Sequence, residues 1–466
     1  MKTFINPLRE KVLNTLDFNI SMQAAKVYGS LLHTMDIGRY DDPEMEKVLI
    51  NRAKESLSLS SESVPNKDCL HIITEAYIIG GHTRLMEKLA GMHEIPPDLL
   101  ITRYSDEKAL ERCKNIFTAV HSIEANDLIE TVKQIHSFCK DYKRIVLHIH
   151  ADDIATVVAC GLIQQVRELN VYFVNHADHA FTFGSAVANY YFQLSSYGAR
   201  LDKLKTIAGQ TSFLGIPVSD IRPEKATTSS EVSANPSFFS SGAAMKFKPF
   251  RGENINPLIA KILDKWPQTT FTIVGVSMLT NFWWWPLKLR YGKRLRLLRY
   301  LPYDQFISLT READFYVDSY PFPGGTAFAE QILAGKRGIG LMSRVQGYSP
   351  ADKLKRPSVG DVIDTIDHYQ DDGVVEEIVA VNGYEAVKKR YLACLYQNEK
   401  SSFDMETLVP WGGDTQSLVV RNKVFVPISP EVMKYLYRNE KKLFLRIFLR
   451  MSLFNKAYIS WNAIKK

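Results

Sequence analysis

Cysteine is scarce in this chain, and the little there is stands apart. Cys69, Cys113, Cys139, Cys160 and Cys394 are five in 466 residues, odd in number and never in a C-x-x-C pair. That excludes a disulfide framework and a cysteine-built zinc module, and reads as reduced, mostly buried thiols. The N-terminal stretch MKTFINPLREKVLNTLDF has charged residues throughout and lacks the unbroken apolar run of a secretory signal, so a cytoplasmic protein is expected. There is no repeat at a solenoid period. A general charge bias is missing as well. From Arg438 to Lys466 eight basic residues face the single acid Glu440, which accounts for the whole formal charge of +7 and leaves the rest near neutral. The basicity belongs to a tail, and a nucleic-acid partner is not expected.

What is present is ordinary globular composition, 45% hydrophobic and 23% charged, over a length that suits two α/β domains. Up to residue 65 the apolar residues keep helical spacing and predict a helical extension. From Asp68 short apolar runs alternate with helix-length segments: CLHIITEAYII, DLLIT, RIVLHI and VYFV. This predicts a first Rossmann-like domain over 66–222, with a parallel sheet and crossover helices. The Ser/Thr/Pro-rich stretch IRPEKATTSSEVSANPSFFSSG breaks the rhythm and places a boundary near Arg222. The rhythm resumes in TTFTIVGV, DFYVDSY and GIGLM, giving a second Rossmann-like domain over 223–430. Residues 431–466 read as a basic amphipathic helix. Two such domains face a cleft, and ligands gather at the carboxyl ends of the strands.

The segment DFYVDSYPFPGGTAFAEQILAGKRGIGL, residues 314–341, carries most of the chemistry. A strand ends near Asp318, a tight loop follows, and a helix starts near Thr326. Gly324 and Gly325 remove side chains where backbone must approach a ligand, and a helix N-terminus offers N–H groups to a diphosphate. Glu330, one turn further, could accept from two ribose hydroxyls. The stretch PYDQFISLTREADFYVDSYPFPGGTAFAE resembles the donor-binding element of GT-B glycosyltransferases, particularly the O-GlcNAc transferases and their bacterial relatives. Arg337, where the family commonly has proline, is a departure behind the site. By that resemblance Gly325 and Thr326 face the pyrophosphate and Glu330 the ribose. Lys246 of SSGAAMKFKP is similar to the family lysine that neutralises the leaving diphosphate. The resemblance also implies a uridine-linked donor and inversion. No D-x-D triplet sits where a diphosphate-bound metal would be needed, so no metal and no other cofactor is expected.

The first domain is expected to supply the acceptor side and the base. EAYIIGGHTRLMEKL resembles the first strand-turn-helix of the same enzymes. Gly81 would let donor and acceptor approach there, and His82 is a candidate base or phosphate contact. In NHADHAFTFG, His176, Asp178 and His179 follow the strand VYFV, where catalytic groups belong. Two other classes compete with the transferase. One is a non-catalytic GT-B homologue that serves as a partner or glycan-binding subunit. The other is a metal hydrolase, since His148, His150 and Asp152 form an H-x-H-x-D run. In the first-choice reading Asp152 or Asp153 instead caps the helix DIATVVACGLI.

Two segments concern location. NFWWWPLKLRYGKRLRLLRY joins aromatic and basic residues, which suits a membrane interface or a buried aromatic cluster beside a solvated basic helix. In the tail Lys442, Arg446 and Arg450 recur every four residues, with Phe444, Ile447, Phe448, Met451 and Phe454 opposite and Tyr458 and Trp461 beyond. The pattern predicts an interfacial helix on an anionic membrane, the peripheral inner face of the cell membrane, or a helix docked on the first domain. The expected acceptor is a glycan, a lipid-linked glycan or a protein.

Overall fold

The computed structural model describes residues 2–59, 64–78, 80–219, 233–371, 373–404, 414–419 and 428–464. Two sheets, each entirely parallel, organise them. The first contains β1 (Lys67–Ala76), β2 (Asp98–Ser105), β3 (Val120–Ser122), β4 (Tyr142–His148), β5 (Asn170–Val174), β6 (Tyr190–Gln193) and β7 (Gln210–Phe213), in the order β3-β2-β1-β4-β5-β6-β7. The second contains β8 (Phe238–Ser241), β9 (Phe271–Val274), β10 (Leu295–Leu298), β11 (Phe315–Val317), β12 (Arg337–Leu341) and β13 (Lys355–Arg356), in the order β10-β9-β8-β11-β12-β13. Central strands such as Phe271–Val274 are buried at every position, so both faces need covering helices, and parallel crossovers supply them. Each sheet reverses its winding once, between β1 and β4 and between β8 and β11. At such a switch point the loops leaving adjacent strands diverge and open a crevice. The paired Rossmann-like architecture read from the patterning is the one found.

The helical extension is not a separate unit. α1 (Lys2–Asn14), α2 (Phe18–Thr34) and α3 (Pro43–Ser56) share one core with the first sheet and with the C-terminal tail. Asp17 and Asp42 cap α2 and α3, accepting the backbone N–H of Ile20 and Met45. Glu46, fully buried on α3, accepts from Gly184 N–H at 3.0 Å and Ala186 N–H at 2.8 Å, and so pins the loop that follows β5.

The domain boundary near Arg222 lies outside the described residues. At its other end the second domain returns the chain early. The helix Tyr384–Leu392 already packs Val387 and Tyr391 into a core with Cys69, Val146 and Tyr172 of the first sheet. The tail folds as three short helices, Pro430–Asn439, Lys441–Arg450 and Leu453–Ile464, instead of one. Leu443, Ile447 and Met451 are buried in the first domain's core, with Phe444 and Phe448 packed against it. The face that spacing assigned to lipid is therefore the docked face; Phe454 has a side chain outside the described set. Trp284 of the aromatic-basic stretch is buried in the second core, beside a short helix, Trp285–Tyr291, that carries Lys288 and Arg290; Leu295–Leu298 beyond it forms an edge strand.

Candidate active site

On the second domain's side β11 delivers Asp318 into the turn that follows it. One carboxylate oxygen of Asp318 accepts the N–H groups of Ser319 and Gly324, both at 2.8 Å. The other pairs with Lys355 at 2.7 Å, and Lys355 also reaches Asp352 at 2.6 Å. Burial opposes the charge of Lys355, but the two carboxylates carry its pKa up to about 12. This buried network shapes the loop. A Cβ at Gly324 would lie 2.4 Å from Asp318 Oδ1, so bare backbone is required there, and Gly325 holds φ at +54°. The helix Thr326–Leu333 then begins, with Glu330 one turn in. Lys246, in the turn after β8, donates to the Pro323 carbonyl at 3.0 Å, and burial lowers its pKa. Lys246, Gly324, Gly325, Thr326 and Glu330 line one cleft of about 1640 Å³ together with Gly81 of the first domain. Lys88 on α4 (Gly81–Ala90) crosses this cleft to Glu330 at 3.3 Å.

On the opposite wall Gly80 takes φ +147°, and a Cβ added at Gly81 would meet nothing within 4 Å. Thr83, a residue suited to capping α4, instead accepts the Tyr77 N–H at 3.0 Å. His82 Nε2–H donates to the His148 carbonyl at 2.9 Å, which fixes its tautomer and leaves Nδ1 with a lone pair. Burial, helped by His150, lowers the His82 pKa to about 3, so the ring is neutral near pH 7. The His176 ring centroid lies 4.0 Å from that of His82. Behind it runs a file of imidazoles: His176 Nε2 to His148 Nδ1 at 2.9 Å, and His148 Nε2 to His71 Nδ1 at 3.2 Å. Burial pushes all three pKa values well below the ordinary imidazole value.

Asp178 and His179 part company. His179 is exposed at the cleft, with Nδ1 3.4 Å from Asp178. Asp178 is buried and accepts from the Ser195 hydroxyl and, across the domains, from Tyr348 OH at 3.1 Å. Its carboxylate is thus spoken for. His82, His176, Asp178 and His179 line a second recess of about 580 Å³ with His33, Arg103, His150 and Asp152. The two recesses share Gly81, His179, Thr326 and Tyr348, so the sequence-named residues of both domains meet at one place. Tyr348, Lys88 and His33 were not legible beforehand. No motif marks them: Lys88 and Tyr348 reach the site only because the domains meet, and His33 because α2 packs on the first domain.

The H-x-H-x-D run does not assemble. His148 is engaged by His71 and His176, His150 Nδ1 stands 3.9 Å from Glu75, and Asp152 pairs with Ser30 and Arg103 at 2.8 and 3.1 Å. Asp153 is the helix cap, accepting from Thr156 N–H at 3.2 Å.

No family model and no curated protein matches the chain. Solved structures do. Anabaena HepE in complex with UDP aligns at a TM-score of 0.52 and 12% identity, over 71% of this chain and 100% of that one. HepE with UDP-glucose aligns at 0.50 and 11%, over 71% and 99%. A Thermobaculum terrenum O-GlcNAc transferase mutant aligns at 0.49 and 12%, over 94% and 80%. At such identities likeness speaks of architecture, and together with the strand orders it is plain: the chain has the GT-B fold, two Rossmann-like domains whose strand ends face a shared cleft.

Proposed function

We propose that the protein is a glycosyltransferase that moves a sugar from a uridine diphosphate donor to an acceptor hydroxyl. One observation carries the reading. A glycine-built helix N-terminus, Lys246 and Glu330 converge on a cleft that meets, at Gly81, His179, Thr326 and Tyr348, a second recess lined by His82 with its Nδ1 lone pair. HepE was solved with UDP and with UDP-glucose, which supports a nucleotide sugar in the equivalent fold. The diphosphate would lie against Gly325 and Thr326, where N–H groups and the helix dipole favour negative charge. Glu330 would exchange Lys88 for the ribose hydroxyls. Nδ1 of His82 takes the acceptor proton, the oxygen attacks the anomeric carbon, and the bond to the diphosphate breaks on the far side, which inverts that carbon. Lys246 and Thr326 hold the departing charge, a task that needs no metal. His176 sets the position of His82 by ring contact, Asp178 positions Tyr348, and His179 contacts the acceptor.

We further infer that the enzyme works against an anionic membrane. Lys442, Arg446 and Arg450 lie among the exposed Leu445 and Leu449 on the outward face of the helix Lys441–Arg450, and Trp461 is exposed on the helix that follows. Apolar anchors among cations suit the headgroup layer. Among the described residues no helix is long and apolar enough to cross a membrane.

The test is calorimetry of the full chain with a panel of nucleotide sugars, followed by incubation of the best binder with candidate acceptors. Tight binding to a UDP-sugar and acceptor-dependent release of UDP are expected. Binding to none would defeat the donor assignment, and donor conversion without acceptor would make the protein an epimerase.

A further inference from the structure

We propose that the first domain holds a structural zinc ion, bound by Cys69, His71, His93 and Tyr391, away from the cleft. Cys69 and His71 lie two residues apart on β1 and so face the same side of the sheet. His93 follows α4, and Tyr391 comes from the returning helix Tyr384–Leu392. All four are buried. The two Nε2 atoms of His71 and His93 stand 3.3 Å apart, and Tyr391 OH is 3.2 Å from the first and 3.0 Å from the second. A tetrahedral ion with bonds of about 2.0–2.1 Å holds its ligand atoms about 3.3 Å apart, so this triangle has the dimensions of one face of a zinc tetrahedron. The ligand atoms of Cys69, His71 and His93 all lie within 4.8 Å of one another, so the sulfur belongs to the same cluster. Among the described residues the Cys69 thiol has no hydrogen bond.

The surroundings match a metal site in a second respect. A ligating imidazole donates its other N–H to a neighbour that fixes the ring. Here His71 Nδ1 meets His148 Nε2 at 3.2 Å, and His93 Nδ1 meets Tyr396 OH at 2.9 Å, which donates in turn to Asp68 at 3.1 Å. A thiolate and a phenolate beside two neutral imidazoles make the zinc complex neutral overall, as a buried site requires. Binding forms one Zn–S, two Zn–N and one Zn–O bond and releases the thiol and phenol protons to solvent. The ion would staple β1, the α4–β2 loop and the returning helix, joining positions about 300 residues apart in the chain.

Metal content of the untagged full chain, purified without chelators, decides the matter. About one zinc per chain is expected, falling below about one tenth in Cys69→Ser and in His93→Gln. Cobalt(II) in place of zinc should give a sulfur-to-metal charge-transfer band that Cys69→Ser loses. If the variants fold poorly, the parent chain still reports: phenanthroline should lower its melting temperature, zinc should restore it, and the non-chelating isomer should do nothing. A parent chain that holds less than about one tenth of an equivalent after zinc addition and dialysis would overturn the site and leave a buried hydrogen-bond network. Full zinc retention by both variants would overturn it equally.

Discussion

Glu330 has two suitors, Lys88 across the cleft and the ribose in the proposed complex. Replacing it by alanine removes a charged acceptor, a loss of about 1.5–3 kcal/mol for a hydrogen bond to a charged group, so UDP affinity should fall about tenfold or more. Lys246→Ala should do the same, and titration calorimetry on both variants with unchanged thermal melts is the check. Gly324→Ala is a different kind of change. Its methyl would meet Asp318 Oδ1 at 2.4 Å, so the variant should lose about 1–3 kcal/mol in urea unfolding and bind UDP poorly, because the loop must move. His82→Gln should keep donor affinity and lower turnover about 10²-fold or more. Since burial holds the His82 pKa near 3, turnover should show no acid limb from this group between neutral pH and about 5. A limb at the ordinary imidazole value would name another base. Sequence alone suggested each of these residues but gave their glycines one role. The structure separates them: Gly324 yields to a buried carboxylate, Gly325 to its positive φ, and Gly81 leaves open space.

At the scale of elements the C-terminal tail has two faces, one docked and one exposed. Leu443, Ile447 and Met451 complete the first domain's core, and removing such side chains costs about 2–5 kcal/mol each, so a chain ending at Asn439 should melt lower whatever its lipid affinity. Truncation is therefore a poor probe of the membrane role. The triple change Leu445→Gln, Leu449→Gln and Trp461→Gln touches only exposed positions and should leave the melting temperature and UDP affinity intact. Cosedimentation with anionic vesicles should drop sharply and, in the parent chain, weaken with salt. Equal sedimentation of parent and variant would remove the membrane role. The helical period in KKLFLRIFLRMSLFNK showed that one face is apolar; it could not show which apolar residues the protein itself would claim.

The whole molecule carries an unusual load of buried neutral imidazoles. Away from the proposed zinc site, His33 has a pKa lowered to about 4, His82 to about 3, and His176 lies well below the ordinary value, in every case mainly through burial. In the unfolded chain these groups titrate near 6.5, so below that pH the unfolded state binds more protons and stability falls as pH falls. Above about 6.5 they impose no cost; towards about 4 each adds up to about 1.4 kcal/mol per pH unit. Urea unfolding at pH about 7.5, 6 and 5 should show a steep loss across the lower interval. A flat profile would mean that the rings take up protons in place.

By itself the sequence determined the α/β class, the pair of parallel sheets and the Gly324-Gly325-Thr326 strand-to-helix turn, because period, turn chemistry and a contiguous motif are local properties. It also offered His82 and the His176 to His179 group, each a short run at a strand end. Only the tertiary structure decided that Asp178 is occupied by Ser195 and Tyr348, that His148 belongs to a file of rings and not to an H-x-H-x-D site, and that the tail's Ile447 and Met451 face protein. It also brought Tyr391 to His71 and His93 across some 300 residues. Such partners come from different strands, helices and domains, and hydrogen bonds and burial depend on distance in space, which no spacing along the chain encodes.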